Sequence, residues 1–180
     1  MSRIGPKTKA AVIVHAVGQA APIETIVKDA HNFGLKVVED CSQAHGASCK
    51  GQKVGTFGDI AAFSTMYRKS HITGANGGVV YSRNEAFSRM ALAYADRGKP
   101  RWQEGFDDGD PSNYLFPALN LNNDEINCAI GIASLKRLPE TIAARLDFVR
   151  MVKESLNKSQ ICSTYPSTDN DSPFIYPIFV

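Results

Sequence analysis

Three side chains stand at or just after predicted strand ends, and their types suit acid–base and nucleophilic chemistry. Asp40 closes the apolar run LKVVED, and Lys69 stands five residues after Ser64, which belongs to the run IAAFST. An ionised aspartate beside a pyridine nitrogen raises the pKa of that nitrogen and keeps the ring cationic, so that the ring becomes an electron sink. A lysine near a cation or in a dry site can form a Schiff base, and a serine hydroxyl with neighbouring N–H groups can bind a phosphate.

Each of these residues also has a plainer interpretation. Asp40 could cap a turn or accept a hydrogen bond from a ribose hydroxyl, although no G-x-G-x-x-G precedes it. Lys69 taken alone could be a surface lysine, and the glycines after it could form only a tight turn, since no G-x-x-x-x-G-K-[ST] is present. His45 and His71 could each be an acid, a base, a ring-stacking group or a structural histidine. These alternatives depend on where the fold places the residues.

A βαβ unit is predicted near the N-terminus. AAVIVHA (10–16) is an apolar run typical of a parallel strand that is buried on both faces. Residues 22–34 have apolar side chains at helical spacing, a proline suited to the first turn and Gly34 as a C-terminal cap. LKVVED (35–40) is a second strand, so the unit predicts a parallel sheet with a right-handed crossover.

Strands and helices alternate through the rest of the chain. Residues 99–121 are rich in glycine, aspartate, proline and aromatic residues and are predicted to form a long functional loop. Pro139 is predicted to separate two helices, because proline cannot donate a helical hydrogen bond. The further predicted elements are strands at 60–65 and 77–82, helices at 84–98, 124–138 and 139–156, and a last strand at 172–180.

The predicted sheet brings candidate residues to one edge. Ligands of a parallel α/β sheet bind at the carboxyl ends of its strands, which here are followed by His15, Asp40 and the segment 64–69. Asn122 or Asn123 is predicted to be the N-cap of the helix that follows the long loop.

Composition excludes several classes of function. The 180 residues include 20 basic and 18 acidic residues without a basic block, so neither a nucleic acid nor a membrane is an expected partner. The cysteines lack C-x-x-C spacing, so no metal site and no disulfide framework are predicted. No signal peptide or membrane span is evident, and we expect a cytoplasmic protein. The cysteines are Cys41, Cys49, Cys128 and Cys162.

The joint order of these features resembles the DegT/StrS family of sugar aminotransferases, fold-type-I enzymes that use pyridoxal 5′-phosphate (PLP). The resemblance runs over roughly residues 4–150. It implies an α/β fold in which 1–138 are part of the PLP-binding large domain, a mostly parallel sheet flanked by helices. Residues 139–180 would then be an interdomain helix and the start of a truncated C-terminal domain. The matching segments are IGPKTKAAVIVHAVGQAAPIETI, GLKVVEDCSQAHGASCKGQKVGTFGDIAAFST, KSHITGANGGVVYS and LNLNNDEINCAIGIASLKRLP.

The resemblance implies a role for each of five residues. Asp40 would pair with the pyridine nitrogen of PLP, and Gln43 would contact the ring or its 3′-oxygen. Ser64 would bind the phosphate, and Lys69 would form the Schiff base and carry the proton. Asn120 would reach the phosphate of the partner subunit's cofactor in a homodimer. The implied reaction is transamination of a nucleotide-linked keto sugar, with an amino acid, commonly glutamate, as donor.

Two departures from the family pattern affect the interpretation. Many members have arginine at the position of Asn122. The family also has further residues before the point at which Met1 falls, and these normally supply a helix N-terminus for the phosphate. The chain begins near a predicted strand and ends within an apolar run, so we expect a fragment of a longer protein.

Three alternatives stay open at this point. In the sugar 3-dehydratase branch, histidine replaces the lysine, whereas here Lys69 holds that position and His71 follows two residues later. A catalytically silent fragment of the family is the second alternative. A dinucleotide-binding domain is the third, and the missing glycine-rich fingerprint weakens it.

Overall fold

A computed structural model describes residues 4–180, and every structural statement below refers to that range. Two short 3-10 helices, Ala16–Gly18 and Pro111–Asn113, accompany the main elements. The strands and helices are β1 (Ala10–Val14), α1 (Ile23–Asn32), β2 (Lys36–Asp40), β3 (Ser48–Cys49), β4 (Gln52–Lys53), β5 (Ile60–Ser64), β6 (Gly78–Tyr81), α2 (Glu85–Ala95), α3 (Glu125–Leu156), β7 (Ser163–Thr164) and β8 (Ile178–Phe179).

The main sheet has the strand order β1-β2-β5-β6. β1, β2 and β5 run parallel, which confirms the predicted βαβ unit and the mostly parallel sheet. β6 runs antiparallel to β5, with Gly78 opposite Ser64. The connection from Thr65 to Gly77 contains no helix, so the chain turns back at the carboxyl edge of β5 instead of crossing over the sheet.

Two apolar clusters form the core of the described residues. One packs α1 against the sheet through Ile23 and Val37, and the other lies under the turns after β2 around Cys41 and Ala61. β1 was predicted to be buried on both faces, which is wrong for its outer face. Val12 is 65% exposed because no element within residues 4–180 covers that side of the strand.

The helix boundaries correct two predictions. α3 runs without interruption through Pro139, so the predicted break there is wrong. A proline removes one helical hydrogen bond, which the neighbouring turns of a 32-residue helix can tolerate. The N-cap of α3 is Asp124, and not Asn122 or Asn123, since the Asp124 carboxylate accepts the N–H of Asn127 at 2.7 Å.

The C-terminal run forms less strand than predicted. Only β8 is extended and paired, and it pairs with β7. Pro173 and Pro177 lack the N–H groups that a longer ladder would use. Within the described residues no helix is both long enough and apolar enough to cross a membrane. The proposed domain boundary at 138/139 falls inside α3 and stays a prediction.

Candidate active site

Asp40 and Ser64 lie at the carboxyl edge of the sheet, as the sequence predicts. Asp40 is the last residue of β2 and Ser64 the last residue of the adjacent β5. One carboxylate oxygen of Asp40, Oδ1, accepts the N–H of Ser42 at 3.0 Å. The other oxygen, Oδ2, makes no hydrogen bond with residues 4–180, so it is the oxygen that could receive a proton donor from a ligand.

A cavity of about 690 Å³ opens beside Ser64. Its polar lining consists of side-chain hydroxyls and amides, together with backbone from the turn into β6. Gly77 in that turn has to be glycine, because a Cβ there would lie 2.3 Å from Thr73 Oγ1. Asp40, Gln43, Lys69 and Asn120 do not line this cavity. The polar side chains that do are Ser42, Ser64, Asn76, Asn122, Asn123 and Asn127.

Lys69 lies in the turn between β5 and β6, half-buried. Its N–H donates to the carbonyl of Met66 at 2.9 Å, which tightens the turn. Its ammonium Nζ lies 4.7 Å from the centre of the Phe174 ring and makes no salt bridge with residues 4–180. The lysine therefore points toward the C-terminal segment and not into the cavity beside Ser64.

Gln43 supports a strained turn in this structure. Its Oε1 accepts the N–H of Val17 at 2.9 Å. Val17 has φ 54°, a left-handed conformation that is costly for a β-branched residue. Phe174 donates its own N–H to the carbonyl of Val17 at 3.1 Å, so Gln43, Val17 and Phe174 form a connected chain over the ends of β1 and β2.

Asn120 lies exposed beside a buried carboxylate that sequence reasoning missed. Asn122 donates through Nδ2 to Asn120 Oδ1 and to Asp96 Oδ1, both at 3.1 Å. Asp96 is only 4% exposed and also accepts hydrogen bonds from Arg97 and Arg101. Arg101, followed by Arg97 and Asn122, holds the pKa of the Asp96 carboxyl well below its usual range against the opposing effect of burial. The sequence signal was a lone acid, in ADRG, at the end of an amphipathic helix.

His15 was predicted at the ligand-binding edge, but it is fully buried and engaged with protein groups. Its Nδ1 accepts the N–H of Ala21 at 3.1 Å, so Nε2 carries the proton and donates to Glu39 Oε2 at 3.0 Å. Glu39 also accepts three backbone N–H groups at 2.6–2.8 Å, from Gly55, Phe57 and Gly58. Burial raises the pKa of Glu39, but these hydrogen bonds outweigh it and leave the pKa lowered.

Cys41 completes a compact group with His15 and Glu39, whose ligand-type atoms lie within 4.8 Å of one another. Burial, followed by the charges of Glu39 and Asp40, raises the pKa of the Cys41 thiol to about 12. The thiol is neutral, and the imidazole and the carboxylate beside it are already hydrogen-bonded to protein groups. The group of three therefore has a structural role. It offers a metal ion no free ligand set.

His45 is 4% exposed, and neither ring nitrogen makes a hydrogen bond of good geometry with residues 4–180. Its ring lies 5.8 Å from Phe63 and 6.1 Å from His71. Burial, followed by the charge of His71, lowers the pKa of His45 to about 4, although the nearby backbone of Ser64 opposes this. His45 is therefore a neutral imidazole next to the Lys69 turn at neutral pH.

The whole chain, residues 1–180, matches the DegT/DnrJ/EryC1/StrS aminotransferase family. The chain belongs to this family. Over 154 residues it is 32% identical to GDP-perosamine synthase of Vibrio cholerae, covering 86% of this chain and 40% of that protein. It is 39% identical over 182 residues to L-glutamine:2-deoxy-scyllo-inosose aminotransferase of Streptoalloteichus tenebrarius, covering 96% of this chain and 42% of that protein. The chain thus spans about two fifths of the length of these relatives.

A solved structure shares the fold of this family member. GDP-4-keto-6-deoxy-D-mannose-3-dehydratase of E. coli, which has hydrated PLP bound, superposes with a TM-score of 0.85 over 98% of this chain and 48% of that chain. The sequence identity is 22%, so the likeness concerns the fold. It confirms the predicted α/β architecture of PLP-dependent transferases.

Proposed function

We propose that this chain contributes the cofactor-binding edge of a PLP-dependent aminotransferase that acts on a nucleotide-linked keto sugar. The observation that carries the proposal is the arrangement of Asp40 and Ser64 on adjacent strand ends, with Lys69 in the turn directly after the second strand. The 32% identity to GDP-perosamine synthase supports the substrate class. An amino acid, for which we propose glutamate, would supply the amine.

The residues at the sheet edge fit PLP by their chemistry. A carboxylate with one oxygen free of protein partners, that of Asp40, matches a protonated pyridine nitrogen. The hydroxyl of Ser64 and the glycine backbone opposite it match a phosphate. Lys69 supplies an amine without an acidic partner among residues 4–180, so no carboxylate competes for it.

Each residue would perform a defined task. The cofactor, when bound, supplies an electron sink for the bonds at the substrate carbon. Asp40 would hold a proton on the ring nitrogen, and Ser64 would donate to the phosphate. Lys69 would hold the cofactor covalently and, when released, would move a proton through Nζ. Gln43 would contact the ring or its 3′-oxygen through Nε2, since its Oε1 is engaged with Val17.

Asn120 and a second copy of the chain belong to the same proposal. Asn120 lies exposed at the surface, and Asn122 Nδ2 orients its Oδ1. This orientation leaves the Asn120 amide N–H groups able to donate to an anion outside its own subunit. We propose a homodimer in which Asn120 reaches the partner subunit's cofactor phosphate.

Glutamine as donor and a cyclitol ketone as acceptor form a second candidate. The observation that favours it is the 39% identity to an L-glutamine:2-deoxy-scyllo-inosose aminotransferase. Amine transfer from 15N-labelled glutamate or glutamine to each ketone distinguishes the two candidates. A deoxygenated sugar formed without net amine transfer would instead favour the dehydratase alternative, which the lysine at position 69 argues against.

Lys69 is tested by trapping the cofactor. Borohydride reduction of the protein with PLP, followed by peptide mapping, should place the pyridoxyl group on Lys69. Lys69→Ala should reduce the incorporation to background, whereas Lys136→Ala, which removes an exposed helical lysine, should leave it unchanged. Equal incorporation in Lys69→Ala would contradict the assignment. If the 180-residue chain shows no PLP absorbance but a longer form of the protein does, the silent-fragment alternative is correct.

A further inference from the structure

We propose that Phe174 is a positioning residue for Lys69. Its ring would bind the lysine ammonium whenever that amine is not bonded to the cofactor. This inference rests on the proposed function in one respect, since it gives a purpose to a contact made by the proposed cofactor lysine. The contact itself is the 4.7 Å separation of Lys69 Nζ from the centre of the Phe174 ring. An ammonium over an aromatic face is attracted by the ring quadrupole, more strongly where water is excluded.

The backbone of the segment that carries the ring is held by hydrogen bonds to the turn after β1. Phe174 and Ser172 donate their N–H groups to the carbonyls of Val17 and Gly18, at 3.1 and 2.8 Å. Residues 171–173 are buried, and Ser172 is fully so. A side chain at Gly18 would place its Cβ 2.1 Å from the carbonyl oxygen of Ser172, at φ +98°. The segment 171–174 therefore lies in a fitted position across the turn that follows β1.

One arginine ties both sides of the contact together. Arg145 of α3 donates from Nη1 to the hydroxyl of Ser70 at 2.5 Å and to the carbonyl of Pro173 at 3.1 Å. Ser70 is the residue after Lys69, and Pro173 is the residue before Phe174. The residue after the lysine and the residue before the ring are thus hydrogen-bonded to the same guanidinium, which joins the turn that carries Lys69 to the segment that carries Phe174.

The surroundings leave the ring as the favourable place for the charged amine. Within residues 4–180 no carboxylate pairs with Lys69 Nζ. His45 is neutral at neutral pH because burial above all lowers its pKa to about 4, and the charge of Lys69 helps to lower it. Arg145 is cationic and repels the ammonium. A flexible lysine side chain loses considerable rotamer freedom when it is ordered, and the aromatic face offsets that loss.

The geometry is tested first without any cofactor. In protein labelled with 13C-lysine, the ε-methylene signal of Lys69, assigned with Lys69→Arg, should be shifted upfield by the ring current of Phe174. Phe174→Leu should abolish that shift and Phe174→Tyr should retain it. Phe179→Leu, a matched change in the same C-terminal region, should leave it unaltered. A Lys69 signal at the ordinary position in the parent protein would overturn the inference.

Chemical reactivity gives the second readout. Trace acetylation requires the amine to leave the ring and lose its proton, so Lys69 of Phe174→Leu should react about threefold to tenfold faster than in the parent. Phe174→Tyr should restore the slow rate, which distinguishes the ring from a general loss of structure. Equal rates in the parent, Phe174→Leu and Phe174→Tyr would overturn the inference. Trapping of PLP on a lysine other than Lys69 would defeat the proposed function and would leave these two results standing.

Discussion

Two buried histidines near the same sheet edge differ in whether their ring nitrogens are hydrogen-bonded. His15, after β1, has both ring nitrogens hydrogen-bonded, one to a backbone N–H and one to Glu39. His45, after β2, is also buried, yet neither nitrogen has a well-formed hydrogen bond within residues 4–180. A saturated polar group stabilises a fold, whereas an unsatisfied one costs free energy. The difference separates a structural region around His15 from a region around His45 that lies next to Lys69.

Breaking the His15–Glu39 pair should have the largest effect. Glu39→Ala leaves the imidazole and three backbone N–H groups without their acceptor in a fully buried place. We expect a loss of about 3–5 kcal/mol in the free energy of unfolding, measured by urea denaturation. Glu24→Ala, which removes an exposed partner of Lys50, should cost less than about 1 kcal/mol. A comparable loss in both variants would remove the distinction between the two regions.

His45 should make stability depend on pH. Its pKa is about 4 in the folded chain, against an ordinary value of 6.5 when unfolded. Between these values the unfolded chain binds the extra proton, so stability should fall as the pH drops from 6.5 to 4, by at most about 3 kcal/mol. His45→Phe should flatten this part of the profile. An unchanged slope in His45→Phe would mean that His45 is not held neutral.

Ser134 offers the smallest and most local test. Its hydroxyl accepts the N–H of Ile72 at 3.0 Å and lies 3.3 Å from Nδ1 of His71, the ring that faces His45. Ser134→Ala should cost about 1 kcal/mol, because the partly buried N–H of Ile72 loses its acceptor. Thermal unfolding should show this loss and should show almost none for Ser155→Ala on the exposed part of α3. No loss in Ser134→Ala would mean that the His71 side of the region is not held by this contact.

The sequence was sufficient for the features that local pattern controls. Apolar runs of strand length predicted β1, β2 and β5, and their order predicted that Asp40 and Ser64 would meet at one edge. The predicted helix at 84–98 is α2, and Asn84 caps it through a side chain that accepts the N–H groups of Ala86 and Phe87.

Features that depend on distant partners could not be predicted. The reversed direction of β6 follows from the turn around Lys69 staying at one edge, and no local pattern encodes that. The role of Glu39 depends on three N–H groups of a loop that lies 16 to 19 residues later in the chain, and no local pattern links them to it. The ring over Lys69 comes from Phe174, which no periodicity links to that lysine. The break predicted at Pro139 is wrong because a proline is typical of a helix end, whereas a long helix can tolerate the hydrogen bond that a single proline removes.

The hydrogen bonds from Ser172 and Phe174 to Gly18 and Val17 have a consequence for biosynthesis. They join the turn after β1 to a segment that lies more than 150 residues later in the chain and is translated correspondingly later. Domains begin to fold from the N-terminus during synthesis, and contacts of large sequence separation form late. The contact between Lys69 and the Phe174 ring therefore forms after the sheet edge beside it. A ribosome-stalled chain that ends before Ser172 should have a formed sheet edge with Lys69 beside it, but no aromatic ring against the lysine.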